Sequence, residues 1–464
     1  MTLASDAQRI FRAGVSSVEP GGAVRVSLRR RGATVRVGTH ALRVGPGGTV
    51  RIVAIGKAAG AMVDAATPVV GRPYEAIAVP ARGYPGSRTG VRVLFGEHPV
   101  PGAGSFRAGR ALLRFVGSVS PNDLLLFLVS GGGSTVAEVP AGALAPAEIA
   151  RTTELLLASG ATIGEMNTVR RHLSRIKGGQ LATATPVPVP FATLALSDVV
   201  GDVPEDIGSG PAVPDPSTYR DAVAVVRRYH LGARLPQGVT HHLSKGVQGR
   251  LSETPKPGDP RFRAAPFVLV GSNVSAVGAA ASAARDLGYR VEVAARPMVG
   301  ETQPVAARFA RRVLDGRSSL PRALIAGGET TVTLGPRPGR GGRNQEFALA
   351  CAPTLAGRNA LVLSAGTDGV DGPTDAAGGW VDGTTEERAR RAGVDIPRTL
   401  ARHATYDALE RLGLLVRTGP TGTNVMDLHV GLVGPTLNRG SGSARASRGT
   451  QLPRRSSSAS HRHG

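Results

Sequence analysis

The sequence is poor in cysteine, in aromatic residues and in long apolar runs. Its 464 residues include a single cysteine, Cys351, which excludes a disulfide within the chain and is typical of a reducing compartment. No stretch of about 18 uninterrupted apolar residues occurs, so we expect no transmembrane helix and no membrane partner. The N-terminus lacks a basic segment followed by an apolar core, so we expect no secretory signal and a cytoplasmic protein.

The net charge of +22 suggests a nucleic-acid partner, but its distribution argues against one. The last 30 residues hold six arginines and no acid, and the other positive charges are spread over the chain. With 4% aromatic residues, stacking platforms for bases are scarce, so we expect no specific nucleic-acid partner. A basic surface still attracts small anions. A non-catalytic polyanion-binding protein stays an alternative, and its DNA binding would depend steeply on salt.

Lysine is rare as well. Of the 56 basic residues only four are lysine, at positions 57, 177, 245 and 256. A chain this biased toward arginine keeps lysine mainly where a compact ammonium is needed. Lys57 and Lys177 lie in glycine-flanked segments typical of the ends of helices or strands, which favours a site that handles phosphate. The alternative is chance in an arginine-dominated composition.

Short apolar runs end in polar or glycine-rich turns, as in a parallel α/β sheet. Residues 124–129 are continuously apolar and lead into Ser-Gly-Gly-Gly-Ser, and residues 191–196 lead into Ser197-Asp198. Ligands bind at the carboxyl ends of such strands, so we expect the chemistry in these turns. Residues 231–265 resemble a linker or a long excursion, and 267–294 predict a compact βαβ unit of a second α/β region.

Two of these turns suit phosphate. Residues 130–134 offer consecutive backbone N–H groups unobstructed by side chains, as a phosphate cradle requires. The segment is not a P-loop, and Val136 stands where a dinucleotide fingerprint needs its third glycine. Lys57 lies between an apolar run and a helix-like segment, where its positive charge opposes the helix dipole. A tight turn and a surface lysine are the structural alternatives.

Residues 164–177 predict an amphipathic helix with an apolar stripe on one side. Its opposite side is basic and holds Asn167, Arg170, Arg171, Ser174 and Lys177. Glu165 is the only acid on this helix, so the repulsion calls for an anion or a distant carboxylate, with a solvated face as the alternative. Residues 335–343 hold three arginines among glycines and prolines, a loop that can close over phosphate.

Acidic residues also cluster in turns. Asp368, Asp371 and Asp375 share one turn-rich stretch, and with Asp198, Asp202 and Glu329 they are candidates for binding Mg²⁺ or for a base. Each of them can equally cap backbone groups. His98 is a lone histidine in a loop, for which we favour a structural role. Residues 418–424 form a Gly/Thr turn that either binds substrate oxygens or is only a turn.

A set of short segments occurs in order along the chain, at 55–58, 97–101, 130–134, 167–170 with 174–179, 197–202, 209–211, 327–332, 341–346, 367–375 and 419–425. As a set, they resemble the bacterial and archaeal glycerate 2-kinases with a C-terminal MOFRL domain, once described as hydroxypyruvate reductases. The resemblance implies an ATP- and Mg²⁺-dependent kinase. Its substrate would be D-glycerate, phosphorylated on the 2-hydroxyl to give 2-phosphoglycerate and ADP.

The family resemblance also implies an α/β fold of two domains with the active site in the cleft between them. We expect a Rossmann-like α/β/α glycerate kinase domain at 1–258 and a smaller α/β domain of the MOFRL type at 259–434. The Arg/Ser-rich residues 435–464 predict a disordered tail. The oligomeric state stays open, with a homodimer as the candidate assembly.

The family's functional lysine maps onto Lys57 and its functional arginine onto Arg343. We expect Lys57, Lys177 and the glycine loop (Ser130, Gly131, Gly132, Gly133 and Ser134) to hold ATP phosphates, and Arg343 to approach as the domains close. Asp198 or Asp368 would bind Mg²⁺ or accept the hydroxyl proton. Arg170 or Lys177 would pair with the carboxylate of glycerate. The other candidates for substrate binding are Asn167, Glu329, Asn344 and Thr423.

The chain departs from the family pattern in two places that leave these residues intact. Met426 stands where many relatives carry Asn, and Gly300-Glu301-Thr302 replaces a Gly-Glu-Ala segment. Two other enzymes remain as alternatives. A kinase of another 2-hydroxy sugar acid differs only in pocket shape. A hydroxypyruvate reductase is disfavoured because no Gly-x-Gly-x-x-Gly follows the apolar runs.

Overall fold

The computed structural model describes residues 2–315 and 321–435. The predicted disordered tail therefore lies outside the described residues, apart from Pro435. Within the described part, no helix is long and apolar enough to cross a bilayer.

The strands form three sheets that follow one another along the chain. A small antiparallel sheet comes first: β1 (Leu28–Arg31), β2 (Thr34–Val37) and β3 (His40–Arg43). The first large sheet is entirely parallel: β4 (Val50–Ile55), β5 (Tyr74–Val79), β6 (Arg92–Val93), β7 (Leu124–Val129), β8 (Phe191–Leu196) and β9 (Phe267–Gly271). Its spatial order is β6-β5-β4-β7-β8-β9, which confirms the expected parallel sheet.

The second large sheet is mixed. It contains β10 (Arg290–Val293), β11 (Met298–Glu301), β12 (Arg322–Thr331), β13 (Ala360–Gly366), β14 (Gly378–Asp382), β15 (Leu415–Val416) and β16 (Asp427–Val433). The order is β10-β12-β16-β13-β14-β15, and β11 also pairs with β12. Because β16 runs antiparallel to both β12 and β13, the carboxyl ends of β12 and β13 meet the start of β16 at one edge.

Helices cover the faces of both sheets. They are α1 (Leu3–Ser17), α2 (Pro20–Ser27), α3 (Ala59–Val70), α4 (Ala103–Val116), α5 (Gly133–Val136), α6 (Pro146–Leu157), α7 (Ile163–His172), α8 (Gln180–Thr183), α9 (Tyr219–Arg228), α10 (Gln237–Val247), α11 (Asn273–Asp286), α12 (Thr302–Leu314), α13 (Arg343–Leu355), α14 (Thr385–Arg391), α15 (Ile396–Ala401) and α16 (Thr405–Leu412). Short 3₁₀ turns occur at Ile207–Ser209 and Pro260–Phe262.

One hydrophobic core joins the two large sheets. It combines Ile10 and Phe11 of α1, Leu126 of β7, Ala280 of α11 and Val430 of β16, all almost fully buried. Two further hydrophobic clusters lie on the outer faces of the large sheets, one on each sheet. A fourth cluster holds α6, α7, α9 and α10 together as a helical lobe beside the first sheet. The shared core presses the two sheets together and so determines which turns face each other.

The predicted βαβ unit at 267–294 is wrong. Strand β9 pairs with β8 in the first sheet, whereas β10 pairs with β12 in the second, so α11 connects two sheets. Strand pairing in the first sheet therefore extends past residue 258, and helix α1 packs on α11 and β16. The domain boundary at 258 stays a prediction. The expected linker at 231–265 is instead partly helical, because α10 packs in the helical lobe.

The helix predicted over 164–177 ends at His172. Its start is set by Thr162, whose hydroxyl accepts from Glu165 N while the Glu165 carboxylate accepts from Thr162 N. Beyond His172 the backbone pairs elsewhere: Ala141 N donates to Leu173 O at 2.9 Å, and Arg175 N donates to Val139 O at 2.8 Å. These contacts with another segment replace further helical turns, and they turn the chain inward.

Candidate active site

The glycine loop (residues 130–134) follows β7 and lies against the turn after β4. Ala58 N donates to Ser130 Oγ at 3.0 Å, and Lys57 N donates to Gly131 O at 2.8 Å. Gly56 has a φ of +114°, and a Cβ there would lie 2.3 Å from Ser130 O, so this contact requires glycine. The two turns therefore form one unit at the carboxyl ends of adjacent parallel strands.

These two turns present hydrogen-bond donors and one ammonium group that have no acceptor or counterion among the described residues. Among the described residues, the backbone N–H groups of Gly131 and Gly132 have no hydrogen-bond acceptor. The side chain of Lys57 runs along the loop, where a Cβ on Gly132 would lie 3.1 Å from Lys57 Cγ. Its Nζ lies 5.6 Å from the centre of the Tyr84 ring and has no ion pair within the described chain. Free N–H groups beside an unpaired ammonium are suited to binding an anion.

Asp198 reaches the loop from the end of β8. A Cβ on Gly131 would lie 2.0 Å from Asp198 Oδ2, so the absence of a side chain at 131 makes room for this carboxylate. Burial raises the pKa of Asp198; the charge of Lys57 opposes the shift and that of Asp368 adds to it. The structure thus brings together Lys57, Asp198 and the glycine loop, which the sequence had marked separately.

We expect Gly131→Ala to lower kcat by about 100-fold, because displacing a catalytic group by roughly 1 Å has effects of that size. The added Cβ would push the Asp198 carboxylate away from the loop. Gly278→Ala is the matched control, because a Cβ at 278 meets nothing within 4 Å. Steady-state kinetics and thermal unfolding of both variants check the prediction. Wild-type kcat in Gly131→Ala would contradict the placement of Asp198.

Arg170 is the unusual cation of the site. The residue is 7% exposed, and its Nε is buried without a hydrogen-bond partner in the described chain. Burial lowers the pKa of Arg170 to about 10, although the negative charge of Glu138 opposes the shift. Arg170 and Lys57 both act on His98, and burial with these two charges lowers the pKa of His98 to about 4. Arg170 therefore lies at the same site as Lys57.

Lys177 is not placed as predicted. It is 2% exposed, and its ammonium pairs with the buried carboxylate of Glu138. Glu138 also accepts from Ser174 Oγ at 2.6 Å and from Val139 N at 2.8 Å. Burial lowers the pKa of Lys177, and Glu138 opposes the shift. This geometry argues against Lys177 as a nucleotide ligand, because the turn at 173–175 carries it into the protein interior.

The buried charges around Arg170 do not balance. Arg170 and Lys177 are two cations, and Glu138 is the acid that offsets both of them. The neighbouring Arg171, by contrast, is neutralised by Asp206 at 3.1 Å and Asp215 at 3.0 Å. A buried cation without its own counterion is costly, so the site around Arg170 calls for a negative ligand.

Asn167 supports the loop rather than lining it. The residue is fully buried; its Nδ2 donates to Asp206 Oδ1 at 3.2 Å, and its Oδ1 accepts from Ser209 Oγ at 2.8 Å. Ser209 in turn contacts Ser134 Oγ at 2.8 Å. These contacts argue against direct substrate binding by Asn167 and make it a support for the end of the glycine loop.

Arg343 begins α13 on the opposite side of the cleft. Its Nε and Nη2 bind both oxygens of the fully buried Asp427 at 2.7 and 2.9 Å, and its Nη1 lies 3.0 Å from Glu329 Oε1. These two carboxylates raise the pKa of Arg343. Burial raises the pKa of Glu329, and the negative charge of Asp198 adds to this shift. Glu329 therefore lies near Asp198, which follows the first sheet. Arg343 is therefore fixed by Asp427, and only its outer edge faces the cleft.

Two predicted substrate ligands are occupied elsewhere. Asn344 is 1% exposed; its amide donates to Asp427 at 2.9 Å and accepts from Ser364 at 2.7 Å. Thr423 is 4% exposed and donates to Val18 O at 2.7 Å. Both argue against direct substrate contact. Asn344 holds Asp427 and hence Arg343, whereas Thr423 ties the Gly/Thr turn to the end of α1.

The acids of the 367–377 stretch have separate environments. Asp368 is partly exposed at the cleft; burial raises its pKa, and Lys57 opposes the shift. Asp371 is buried, accepts from Asn344 N and Gln345 N at the start of α13, and has its pKa raised to about 7 by burial. Asp375 is exposed and binds Tyr406 and Arg417. Asp368 alone of these three acids faces Asp198 and Lys57.

The described residues contain no cluster of three or more His, Cys, Asp or Glu side chains able to hold a metal by themselves. Asp198 and Asp368 nevertheless suit Mg²⁺, which commonly takes one or two carboxylates and completes its coordination with phosphate oxygens and water. Burial raises the pKa of both carboxyls, and the charge of Asp368 adds to the shift of Asp198, so a cation between them would stabilise their charged forms.

Sequence reasoning missed three residues of the site. His98, for which we favoured a structural role, lies at the loop with its Nδ1 2.9 Å from Thr135 Oγ1. Nothing in the sequence pointed to Glu138 except its position a few residues after the glycine loop. For Asp427 the sequence held one signal, because Met426 stands before it where many resembling proteins carry Asn. Met426 has a φ of +68°, a left-handed conformation that Asn adopts more readily.

Comparison with known proteins identifies the family of this chain. Residues 6–244 match a family described as a domain of unknown function (DUF4147), and residues 322–427 match the MOFRL family. The glycerate 2-kinase of Pyrococcus horikoshii is 37% identical over 398 residues, which cover 85% of this chain and 89% of that protein. The chain belongs to the glycerate kinase family.

Members of the glycerate kinase family share the fold as well. The crystal structure of glycerate kinase from Thermotoga maritima superposes with a TM-score of 0.79 at 35% sequence identity, covering 93% of this chain and 99% of that one. A protein of Agrobacterium vitis that is 40% identical over 437 residues, covering 92% of this chain and 94% of that one, bears the name of a hydroxypyruvate reductase. Both names occur among relatives, so the reaction of this chain has to be argued from its site.

Proposed function

We propose that the protein is a glycerate 2-kinase, which transfers the γ-phosphoryl group of ATP to the 2-hydroxyl of D-glycerate. The observation that carries this proposal is the buried guanidinium of Arg170, whose Nε has no hydrogen-bond partner in the described parts of the chain and which, like Lys57, lies near His98 at the glycine loop. It provides one cation for a carboxylate and, next to it, a separate anion site for phosphate. Membership of the glycerate kinase family supports the choice of a small hydroxy acid as acceptor.

In this proposal, Arg170 holds the carboxylate of glycerate. Its terminal nitrogens form a planar fork that matches two carboxylate oxygens. Lys177 was the other candidate, and its pairing with Glu138 leaves Arg170 as the anchor. Bound glycerate would supply the missing counterion, so substrate binding and charge neutralisation are the same event.

The phosphates of ATP occupy the glycine loop. The N–H groups of Gly131 and Gly132 and the ammonium of Lys57 would contact phosphate oxygens, whose negative charge they stabilise. The outer edge of Arg343 lies across the cleft and would approach the same oxygens as the two sheets close. Phosphoryl transfer depends mainly on such positioning and neutralisation of charge.

The chemical step needs an acceptor for one proton. The C2 hydroxyl oxygen attacks the γ-phosphorus, the bond from that phosphorus to the β–γ bridging oxygen breaks, and ADP leaves with the electron pair. Asp198, beside the loop, would accept the hydroxyl proton. Mg²⁺ held by Asp198 or Asp368 would offset the charge of the phosphate oxygens. Closure of the cleft would limit hydrolysis of ATP by excluding water.

We also propose a cytoplasmic location, in keeping with a single buried cysteine whose pKa is raised by burial and whose thiol is therefore unreactive. A homodimer is the assembly we would test first. Sedimentation of the purified protein at several concentrations separates a dimer from a monomer of 47.5 kDa.

The deciding experiment supplies D-glycerate, ATP and Mg²⁺ and follows the product with enolase. Enolase accepts 2-phosphoglycerate directly, whereas 3-phosphoglycerate would first need a mutase. We expect signal from enolase alone. In the reaction without enolase, we expect EDTA to stop the formation of ADP from ATP by removing the metal. Phosphorylation of a four-carbon acid in preference to glycerate would redirect the proposal to another sugar-acid kinase. Consumption of NADH with hydroxypyruvate, and no product from ATP, would replace the kinase by a reductase.

A further inference from the structure

A cavity of about 440 Å³ opens beside Arg343 on the side of the second sheet. We call it the Leu334 cavity. Its walls include Val332, Leu334, Pro338 and Pro373, and Glu329 and Arg343 lie at its inner end. The proposed sites for glycerate and for the phosphates leave this cavity empty.

We propose that the Leu334 cavity binds the adenine and ribose of ATP. This inference rests on the proposed kinase function and adds the direction of the nucleotide. The base would lie against the second sheet, and the phosphates would run past Arg343 to the glycine loop on the first sheet. The nucleotide would thus contact both halves of the cleft.

The character of the walls fits an aromatic base. Leu334 is 59% exposed although it is a large apolar side chain, and it faces a cavity with two prolines and a valine. Flat apolar walls with a few polar groups are typical of the sites that bind nucleobases and similar ligands. A bound base would cover Leu334 and remove its apolar surface from water.

The position of the cavity fits a phosphate donor. Arg343 and Glu329 belong both to its lining and to the cleft, and their side chains are 34% and 41% exposed. A nucleoside in the cavity would therefore place its attached phosphates next to the guanidinium edge of Arg343. From there the chain of phosphates continues toward Lys57, whose charge acts on Glu329.

His403 supplies a polar contact on the wall. Its Nδ1 lies 2.9 Å from Glu346 Oε2, and Glu346 Oε1 accepts from Gln303 at 2.8 Å. When Nδ1–H donates to Glu346, the second ring nitrogen, Nε2, remains for a bound ligand. A polar ring nitrogen at this position suits the polar edge of a purine base.

Two neighbouring cavities fit the nucleoside less well. The cavity on the other side of Pro338 is lined by charged side chains, which suit a neutral base poorly: Arg337, Asp395, Arg398, Arg402, Asp407 and Arg411. A third, of about 380 Å³, is lined by Val274 and Met426 and includes neither Arg343 nor Glu329. A nucleoside there would have its phosphates farther from the cation on the second sheet.

The test compares Leu334→Ser with two controls. Leu157→Ser alters another exposed leucine, on α6, and Val274→Ser alters the third cavity. We expect Leu334→Ser to raise the ATP KM and the calorimetric Kd of ADP about fivefold, because one partly buried leucine contact is lost. The inhibition constant of tripolyphosphate, which has no nucleoside, and the glycerate KM should stay unchanged, as should all constants of both controls.

The outcomes separate this inference from the proposed function. An unchanged ADP Kd in Leu334→Ser, or a raised one in Val274→Ser instead, overturns the Leu334 cavity as the nucleoside site. An equal loss of tripolyphosphate and ADP binding also overturns it, because the variant would then have disturbed the phosphates. ADP binding needs no turnover, so a wild-type protein that binds ADP without phosphorylating glycerate would overturn only the acceptor assignment.

Discussion

Replacing Lys57 by methionine should lower kcat by about 10²- to 10³-fold, the range seen when one preorganised electrostatic donor is lost from an active site. The ammonium of Lys57 runs along the glycine loop and has no ion pair in the described parts of the chain. Methionine keeps most of the length and the apolar stem while removing the charge. Because no native ion pair is broken, the variant should melt within a few degrees of the wild type.

Lys245→Met is the matched control for this variant. Lys245 is also a partly buried lysine, but it lies near the end of α10 in the helical lobe, away from the glycine loop. The kcat of Lys245→Met should equal that of the wild type. A Lys57→Met protein that is folded and turns over within threefold of the wild type would contradict the phosphate role of Lys57.

Replacing Arg170 by methionine should raise the KM for D-glycerate by about 100-fold and leave the KM for ATP nearly unchanged, because removing one partner of a buried charge pair commonly has effects of this size. The same change should leave the thermal stability of the free protein equal or higher. Burial lowers the pKa of Arg170 to about 10, which means that the folded protein disfavours its charged form. An apolar side chain removes that cost.

Arg171→Met provides the contrast, one residue further along α7. Arg171 is also buried, but Asp206 and Asp215 neutralise it. Its loss leaves two carboxylates without their cation, so we expect a destabilisation of about 3–5 kcal/mol, measured by denaturant unfolding. If Arg170→Met instead unfolded the protein as Arg171→Met does, the guanidinium of Arg170 would be structural, and the substrate anchor would have to be sought elsewhere.

Local patterns in the sequence were sufficient for most of the first sheet and for half of the site. Continuous apolar runs at 124–129 and 191–196 predicted buried parallel strands, since such strands have helices on both faces and no solvent-facing side. The turns after these two strands supplied the glycine loop and Asp198, and the turn after β4 supplied Lys57. In the structure these residues lie close together because β4, β7 and β8 are parallel neighbours that end at the same edge of the sheet.

The tertiary structure decided the remainder. Residues 267–294 look like one βαβ unit, yet β9 and β10 join different sheets, because a shared hydrophobic core brings α1 and α11 between the sheets. The basic side of α7 looks uniform in sequence, yet Arg171 and Lys177 form ion pairs with acids from distant segments, whereas Arg170 forms none among the described residues. Which cation stays free depends on contacts across 30 or more residues of chain, such as Lys177 with Glu138.

The sequence by itself therefore indicated the residue types at the proposed phosphate site, because those follow from local order: strand, glycine turn, lysine, carboxylate. The reaction class came from the resemblance to a known family. Only the fold decided that Asn344 and Asp427 hold Arg343, that Lys177 is neutralised, and that the Nε of Arg170 has no hydrogen-bond partner among the described residues. Neutralisation of a buried charge is a property of its surroundings in space, and spacing along the chain does not encode it.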